Sequence, residues 1–272
     1  MKRRLLKIGS VKIGGRDPVF ILGPCVIESD KFLWRMARKI AAIAREEDVQ
    51  FIFKASYDKA NRTSVKSFRG IGAQEGCELL AAIGAELKMP VTTDVHSPAE
   101  AEMVAEFVDL LQIPAFLCRQ TDLLKAAAGT GRGVNVKKGQ FLAPWDVKNI
   151  AEKLERFGAR QFFFTERGTT FGYNNLVADM RSLTWIREAG YPVIFDATHS
   201  VQRPGGAGNK SGGDAALAPV LARAAMAAGC DGIFMEVHEN PVRALSDAAS
   251  QISVKNLPKI LRVLKAVHGA VS

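Results

Sequence analysis

The 272-residue sequence lacks the features that define secreted or membrane proteins. Its few cysteines lie far apart and form no CxxC pair: Cys25, Cys77, Cys118 and Cys230. A disulfide framework is therefore not expected, and a reducing, cytoplasmic location is predicted. No apolar run approaches the roughly 18 residues of a membrane helix. The basic start is followed by only two leucines before Lys7, which does not predict a signal peptide.

Long basic runs are also missing, although the net charge is +9 from 37 basic and 28 acidic residues. An excess of positive charge is typical of a nucleic-acid surface or of a pocket for anionic metabolites. A nucleic-acid surface would show basic runs or a basic helix face with interleaved aromatic residues. The only tight basic cluster is Lys2-Arg3-Arg4, which we expect to be a solvated tail. The distribution favours small anionic ligands and predicts no nucleic-acid or membrane partner.

Short β-rich apolar segments alternate along the chain with segments of helical spacing. The predicted strands are Val19–Ile27, Val49–Tyr57, Met89–His96, Leu110–Phe116, Gly133–Gly139, Gln161–Gly168, Tyr191–His199 and Cys230–His238. The predicted helices between them include Phe32–Glu47, Gln74–Lys88, Pro98–Val108, Val147–Phe157 and Ala215–Ala228. This α/β alternation predicts a (β/α)8 TIM barrel.

The first 15 residues contain two short apolar segments, Arg4–Ile8 and Val11–Gly14, around Gly9-Ser10. They predict an N-terminal β-hairpin that closes the bottom of the barrel. A doubly wound open sheet is less consistent with the sequence, because the glycine-containing GSVKIGG lies in this hairpin and not after a first strand. No linker divides the chain, so residues 1–272 are predicted to form a single domain.

Polar side chains follow every predicted strand, at the end where barrels of this class carry their active sites. Examples are Glu28, Asp58, Glu166 and His238. The permanent cations of this group are Lys54, Lys59, Arg62, Arg119, Lys137 and Arg167. In one mouth these cations would repel one another, so they predict phosphate or carboxylate ligands. The alternative is that each cation pairs with a nearby Asp or Glu.

A second group combines a thiol, an imidazole and two carboxylates: Cys25, His199, Glu236 and Asp247. These side chains are a credible ligand set for a divalent metal such as Fe²⁺, Zn²⁺ or Mn²⁺. Their spacing matches no compact metal motif, but a closed barrel makes the first, seventh and eighth strands neighbours. Taken alone, Cys25 could be a core residue, and His199 could be a general base or a core histidine.

Longer motifs carry a resemblance to a known family over roughly residues 19–252. They are GPCVIES, FKASYDKANRTSVKSFRG, TTDVH, LLQIPAFLCRQTDLL, VNVKKGQFLAPWD, TERGTTFGYNNLVADMRSL, DATHSVQRPGG and GIFMEVHENPVRALSDAASQ. Together they resemble the 3-deoxy-D-manno-octulosonate 8-phosphate synthases. The resemblance implies a (β/α)8 transferase that joins phosphoenolpyruvate to D-arabinose 5-phosphate, adds water and releases phosphate. The product of that family is a precursor of lipopolysaccharide.

A related synthase of the shikimate route, which uses erythrose 4-phosphate and makes 3-deoxy-D-arabino-heptulosonate 7-phosphate, is the main alternative. That relative is expected to carry a KPR-type segment where this chain has KANRTS. The resemblance also implies a divalent metal, because metal-independent members of the arabinose-phosphate family have Asn where this chain has Cys25. SDAASQ around Asp247 supports the metal-dependent form with the four ligands named above.

The resemblance further implies roles for individual residues. Contacts to phosphoenolpyruvate are expected from Lys54, Ser56, Lys59, Lys137 and Arg167, with Gln112 and Phe116 lining its pocket. The sugar phosphate is expected at Asn61, Arg62 and Thr63. Asp94, at the third strand end, is assigned to the substrate site, and the candidate catalytic residues are Lys59, His199 and Asp247. Arg119 is expected to reach a neighbouring subunit's site, which implies a homo-oligomer, typically a homotetramer. Thr63 replaces a more usual Ser, and Arg203 replaces a more usual Leu.

Overall fold

The computed structural model of the protein describes residues 4–206 and 212–272. Its strands are β1 Leu6–Ile8, β2 Val11–Ile13, β3 Val19–Gly23, β4 Gln50–Lys54, β5 Val91–Asp94, β6 Leu110–Ile113, β7 Gly133–Lys137, β8 Phe162–Glu166, β9 Thr169–Thr170, β10 Leu176–Val177, β11 Val193–Asp196, β12 Gln202–Arg203, β13 Gly212–Gly213, β14 Gly232–His238 and β15 Ile252–Ser253. Its helices are α1 Asp30–Glu46, α2 Ala73–Leu87, α3 Pro98–Val104, α4 Thr121–Gly129, α5 Val147–Arg156, α6 Arg181–Glu188, α7 Ala218–Ala227 and α8 Leu257–Val271.

Eight parallel strands close into a barrel. The strands β3 to β8 pair in chain order, β8 pairs with β11, and β14 pairs with both β11 and β3. The predicted (β/α)8 barrel is therefore confirmed. Each barrel strand lies within a predicted segment. All of them except β14 end earlier than predicted, because the last residues of those segments leave the ladder to form loops. The helices α4, α6 and α8 were not among the helices named from the sequence.

The first strand ends at Gly23, where the chain passes very close to its neighbour. A Cβ atom at this position would lie 1.8 Å from the carbonyl oxygen of Lys54. Only glycine allows this approach. Beyond it, Val26 makes an isolated parallel bridge with Ser56, so the loops after β3 and β4 stay together.

The N-terminal hairpin fills the lower end of the barrel. Strands β1 and β2 pair antiparallel, and their alternating buried side chains are Leu6, Ile8, Val11 and Ile13. They pack against apolar side chains that the barrel strands point inward: Val19, Ile21, Ile52, Leu110, Phe163, Ile194 and Phe234. A second, larger core cluster contains buried residues of both the barrel strands and the surrounding helices. The predicted closing hairpin is thus confirmed.

Lys2 and Arg3 of the predicted basic tail lie outside the described residues. Arg4 is not simply solvated, because its guanidinium bonds to Glu155 at 2.6 Å and lies over the rings of Phe162 and Tyr191. Among the described residues, no helix combines the length and the apolar character needed to cross a bilayer.

Candidate active site

A cavity of about 730 Å³ opens at the carboxyl ends of the barrel strands. Most of the residues that the sequence assigned to a site line it: Lys54, Lys59, Asn61, Arg62, Thr63, Asp94, Gln112, Phe116, Lys137, Arg167, His199 and Asp247. Ser56, Cys25 and Glu236 lie beneath its floor as buried residues. Arg119 is exposed and is not among the lining residues, so within one chain five of the six predicted cations meet.

Lys54 occupies the centre of the floor, at the end of β4. Its Nζ donates to Ser56 Oγ at 2.6 Å and lies 3.5 Å from Asp94 Oδ1 and 3.6 Å from Glu236 Oε1. Ser56 in turn donates to Asp94. Burial alone would raise the pKa of Asp94, but Lys54 and His96 outweigh it and hold that pKa well below its usual range. Asp94 is therefore a permanent anion that fixes the lysine.

A second buried pair lies on the far side of the floor, where β7 and β11 end. Lys137 Nζ bonds to Asp196 Oδ2 at 2.6 Å and lies 3.8 Å above the centre of the Phe234 ring. Asp196 also contacts His199 Nδ1 at 2.7 Å, which orients the imidazole so that Nε2 faces Glu236. Burial lowers the pKa of Lys137, although the charge of Asp196 opposes this shift.

Arg167 is the buried cation with the fewest anionic contacts. Its Nη2 donates to Gln202 Oε1 at 2.9 Å. Its Nη1 is buried and has no hydrogen-bond partner among the described residues. Burial lowers the pKa of Arg167, with several carboxylates opposing the shift. A buried guanidinium with a free N–H at the wall of a cavity is suited to an anionic ligand.

The four predicted metal ligands come together at one corner. Cys25, Glu236 and Asp247 offer ligand atoms that lie within 4.8 Å of one another. His199 Nε2 lies 3.6 Å from Glu236 Oε1 and 3.8 Å from Asp247 Oδ2. Both carboxyl oxygens of Glu236 are buried without a hydrogen-bond partner among the described residues. A thiol, an imidazole and two carboxylates form a donor set that fits a divalent transition metal. One of these carboxylates, Glu236, is buried without a hydrogen-bond partner in the described part of the chain, which also favours a bound cation.

The loop after β14 carries Asp247 and is held by several side chains. Gln202 Nε2 donates to Asp247 Oδ2 at 2.9 Å, and Arg62 donates to Ser246 Oγ at 2.6 Å and to Leu245 O at 3.2 Å. Asp247 itself has a left-handed backbone with φ of 49°. This conformation is uncommon for a residue other than glycine, and the surrounding bonds maintain it.

Several polar residues at strand ends do not belong to the cavity wall, which corrects the expectation that the polar residues of all eight strand ends form one site. Glu28 Oε1 accepts from the backbone N–H of Leu245 at 2.9 Å and lies 3.3 Å from His238 Nε2. Asp58 pairs with Arg69 on the surface. The sequence could not separate these residues from the true lining, because position after a strand does not specify which way a side chain points.

A buried pair behind the wall explains another strand-end residue. Lys138 Nζ lies 3.5 Å from Glu166 Oε2 and donates to the carbonyl oxygens of Gly139 and Leu142. Glu166 also accepts from the backbone N–H of Gly168. The pair therefore supports the loops that follow Lys137 and Arg167. Among the six cations predicted from the sequence, Lys54 and Lys137 pair with carboxylates, which is the alternative that the sequence left open.

Sequence reasoning missed residues that the structure places in or around the cavity: Gln140, Gln202 and Ser246. Gln202 and Ser246 stand close in sequence to the candidate ligands His199 and Asp247, and this proximity was the available signal. Uncharged side chains draw little attention in a sequence, since their roles depend on what they contact.

Comparison with known proteins shows which family the chain belongs to. Residues 4–272 match the DAHP synthetase I family, and the chain belongs to it. It is 53% identical to the 2-dehydro-3-deoxyphosphooctonate aldolase of Geobacter sp. over 99% of both chains. The protein of the same name from Synechococcus sp. is 56% identical over 98% of this chain and 94% of its own. That from Pelobacter propionicus is 55% identical over 98% of this chain and 99% of its own.

His96 leads to a pH-dependent prediction. Burial alone would lower its pKa, but Asp94 at 3.1 Å and Glu100 at 3.0 Å outweigh burial and raise it. A raised pKa in the folded state stabilises the protein below the ordinary histidine value, and this contribution is lost as pH rises through the folded-state value. The stability difference between wild type and His96→Gln should therefore shrink when pH increases from about 6 to about 9. Urea unfolding across this range measures it.

The control is Glu100→Gln, which removes one of the two charges that raise this pKa. In that background the loss of the His96 contribution should occur at a lower pH. A stability difference between wild type and His96→Gln that grows with pH would contradict the raised pKa of His96.

Proposed function

We propose that the protein condenses phosphoenolpyruvate with D-arabinose 5-phosphate and water to give 3-deoxy-D-manno-octulosonate 8-phosphate and phosphate. This transferase reaction is the one that the relatives' shared name denotes, and its product is a lipopolysaccharide precursor. The observation that carries the proposal is the cavity in which Lys54, Lys137 and Arg167 meet as buried cations beside the loop of Asn61 and Arg62.

The charge of the cavity supports two phosphorylated ligands. Phosphoenolpyruvate and the aldose phosphate together bring about five negative charges, counting ~2 for each phosphate and one for the carboxylate. Lys54 and Lys137 already have buried carboxylate partners, so part of the positive charge is compensated within the protein. Arg167 keeps a buried N–H without a partner among the described residues. We assign phosphoenolpyruvate to this side of the cavity, with Ser56, Lys59, Gln112 and Phe116 around it.

The aldose phosphate is assigned to Asn61, Arg62 and Thr63, which line the same cavity. C3 of phosphoenolpyruvate attacks the aldehyde carbon, water adds at C2, and the C2–O bond to phosphate then breaks. The adding water loses both of its protons as C2 becomes a ketone. One proton is balanced by the proton that the new alkoxide takes up, and the other by the proton that the departing phosphate takes up. We propose that Lys59 and His199 move these protons, with Asp247 as a further catalytic residue. The fixed geometry of the floor holds the two carbons together, which lowers the entropic cost of reaction.

We propose that Cys25, His199, Glu236 and Asp247 hold one divalent ion, Fe²⁺, Zn²⁺ or Mn²⁺. Such an ion supplies Lewis-acid polarisation or an activated water when bound. The support is the donor set and the two unsatisfied oxygens of Glu236 described above. The thiol that follows β3 is therefore assigned as a metal ligand in the proposed enzyme.

The choice of aldose tests the activity. With phosphoenolpyruvate as the second substrate, kcat/KM for D-arabinose 5-phosphate should exceed that for erythrose 4-phosphate by about 100-fold or more, because buried polar groups reject a shorter ligand that leaves them unpaired. Release of inorganic phosphate measures both reactions. Equal rates, or a preference for the four-carbon sugar, would instead support the shikimate-route activity.

Chelation tests the metal. EDTA should abolish turnover, and added Mn²⁺ or Fe²⁺ should restore it, because the proposed site depends on the ion. Cys25→Asn should retain some turnover in EDTA if the other residues can work without metal, as they do in the metal-independent members. Full wild-type activity in chelator would contradict the proposed metal. Complete inactivity of Cys25→Asn, with normal folding, would show that the remaining residues require it.

We further propose a cytoplasmic homotetramer in which Arg119 completes the site of a neighbouring subunit. Exposed apolar side chains cluster in sequence on the loops after three adjacent strands, β6, β7 and β8: Phe116, Phe141, Trp145, Phe171, Tyr173 and Val177. Arg119 is exposed on the same group of loops. Large exposed apolar side chains near one another favour contact with another protein surface, and the residue assigned to the neighbour's site makes a second copy the expected partner.

Sedimentation tests the assembly. Wild type should sediment as four chains, and Phe171→Ser with Tyr173→Ser should yield smaller species with at least about tenfold lower kcat, since each site would lose its partner's Arg119. Val242→Ser, at an exposed valine after β14, is the control and should not change either property. A monomeric, fully active wild type would contradict the proposed tetramer.

A further inference from the structure

Arg62 joins two segments that the proposed function assigns to different ligands. Its backbone lies after β4, between Asn61 and Thr63, where the sugar phosphate is assigned. Its guanidinium instead reaches the loop after β14, donating from Nη1 to Ser246 Oγ at 2.6 Å and from Nη2 to Leu245 O at 3.2 Å. The side chain of Arg62 therefore connects the segment 61–63, where the sugar phosphate is assigned, to the loop that carries Asp247.

Ser246 extends this link to the candidate metal ligands. It is buried, and its hydroxyl oxygen accepts from Cys25 Sγ at 3.2 Å as well as from Arg62. A hydroxyl has two lone pairs and one proton, so it can serve Arg62 and the sulfur at the same time. Gln251 Nε2 donates to the backbone oxygen of Ser246 at 2.8 Å, which fixes the residue between its two partners.

The charges of Arg62 and Asp247 determine whether a bound phosphate would favour or oppose metal binding. Arg62 Nη1 lies 4.0 Å from Asp247 Oδ1, so its positive charge competes with a metal ion for that carboxylate. A phosphate dianion on Arg62 offsets this charge. A guanidinium has five N–H donors, and the two bonds to the loop leave others for a phosphate without releasing Ser246. A bound phosphate would also hold the Ser246–Asp247 segment in place through Arg62.

We propose that Arg62 and Ser246 couple the sugar-phosphate site to the candidate metal site that contains Cys25. An aldose phosphate bound at Arg62 then raises the affinity of the candidate metal site for a divalent ion. By thermodynamic linkage the metal raises the affinity for the aldose phosphate by the same factor. Ser246 is then a positioning residue that acts through Arg62 and Cys25. This inference rests on the proposed function, since it uses the assigned sugar-phosphate segment.

The test uses full-length protein without phosphoenolpyruvate, so that no turnover occurs. Cd²⁺ is titrated while the ultraviolet absorption of the cadmium–thiolate bond reports its binding at Cys25. Saturating D-arabinose 5-phosphate should lower the Kd for Cd²⁺ by about 5- to 150-fold, the usual range of coupling between sites. D-Arabinose, which lacks the phosphate, should leave the Kd unchanged.

Ser246→Ala should reduce the coupling factor at least about threefold, because it removes the hydroxyl shared by Arg62 and Cys25. Ser67→Ala is the matched control: Ser67 lines the same cavity, and no hydrogen bond joins it to Arg62 or Ser246 among the described residues. It should keep the wild-type factor. If Ser246→Ala does not fold, Arg62→Lys tests the same link, because an ammonium retains the charge without the two-pronged contact, and the same reduction is expected.

An equal Kd for Cd²⁺ with and without the sugar phosphate, no cadmium–thiolate absorption in wild type, or an undiminished factor in the variant would overturn the coupling. Wild-type turnover of D-arabinose 5-phosphate is measured in parallel. Turnover without linkage would overturn the coupling alone, whereas neither binding nor turnover of the sugar phosphate would overturn the proposed function as well.

Discussion

The floor of the cavity depends on buried charges that hold one another. Lys54 lies within 3.6 Å of both Asp94 and Glu236, and Lys137 bonds to Asp196 at 2.6 Å. A buried ion without its partner is costly by several kcal/mol, so each of these residues constrains the position of the next. The buried charge pairs therefore also hold the side chains of the site in fixed positions. Its remaining unsatisfied groups, on Glu236 and Arg167, mark where ligands would complete it.

The barrel divides this charged layer from an apolar one. The hairpin side chains and the inward residues of the strands form an apolar lower core, and its member Phe234 contacts the site, since Lys137 lies 3.8 Å above its ring. Below that ring the interior is stabilised by apolar burial. Above it lie the buried charges of the site, of which Lys54 and Lys137 are paired with carboxylates. One closed sheet thus serves stability at one end and chemistry at the other, as is typical of this architecture.

Local sequence patterns predicted some residues of the candidate site correctly and others wrongly. Lys54, Lys137 and His199 were predicted correctly to meet, because each directly ends or follows a strand and parallel strands end at one face. Glu28 and His238 satisfied the same criterion but lie 3.3 Å apart outside the cavity wall, where Glu28 accepts from the backbone N–H of Leu245. The criterion identifies the end of the barrel, and it cannot identify the direction of a side chain in an irregular loop.

The alternation of strands and helices, the hairpin and the set of charged strand ends follow from the sequence by itself, because periodicity and residue type are local properties. Tertiary structure decided which charges neutralise one another, that Arg62 bonds to the Asp247 loop, and that Ser246 lies between Arg62 and Cys25. The two contacts of Ser246, with Arg62 and with Cys25, join residues that are 184 and 221 positions apart. Such distances close only when β14 pairs with β3, so no local pattern could have specified them.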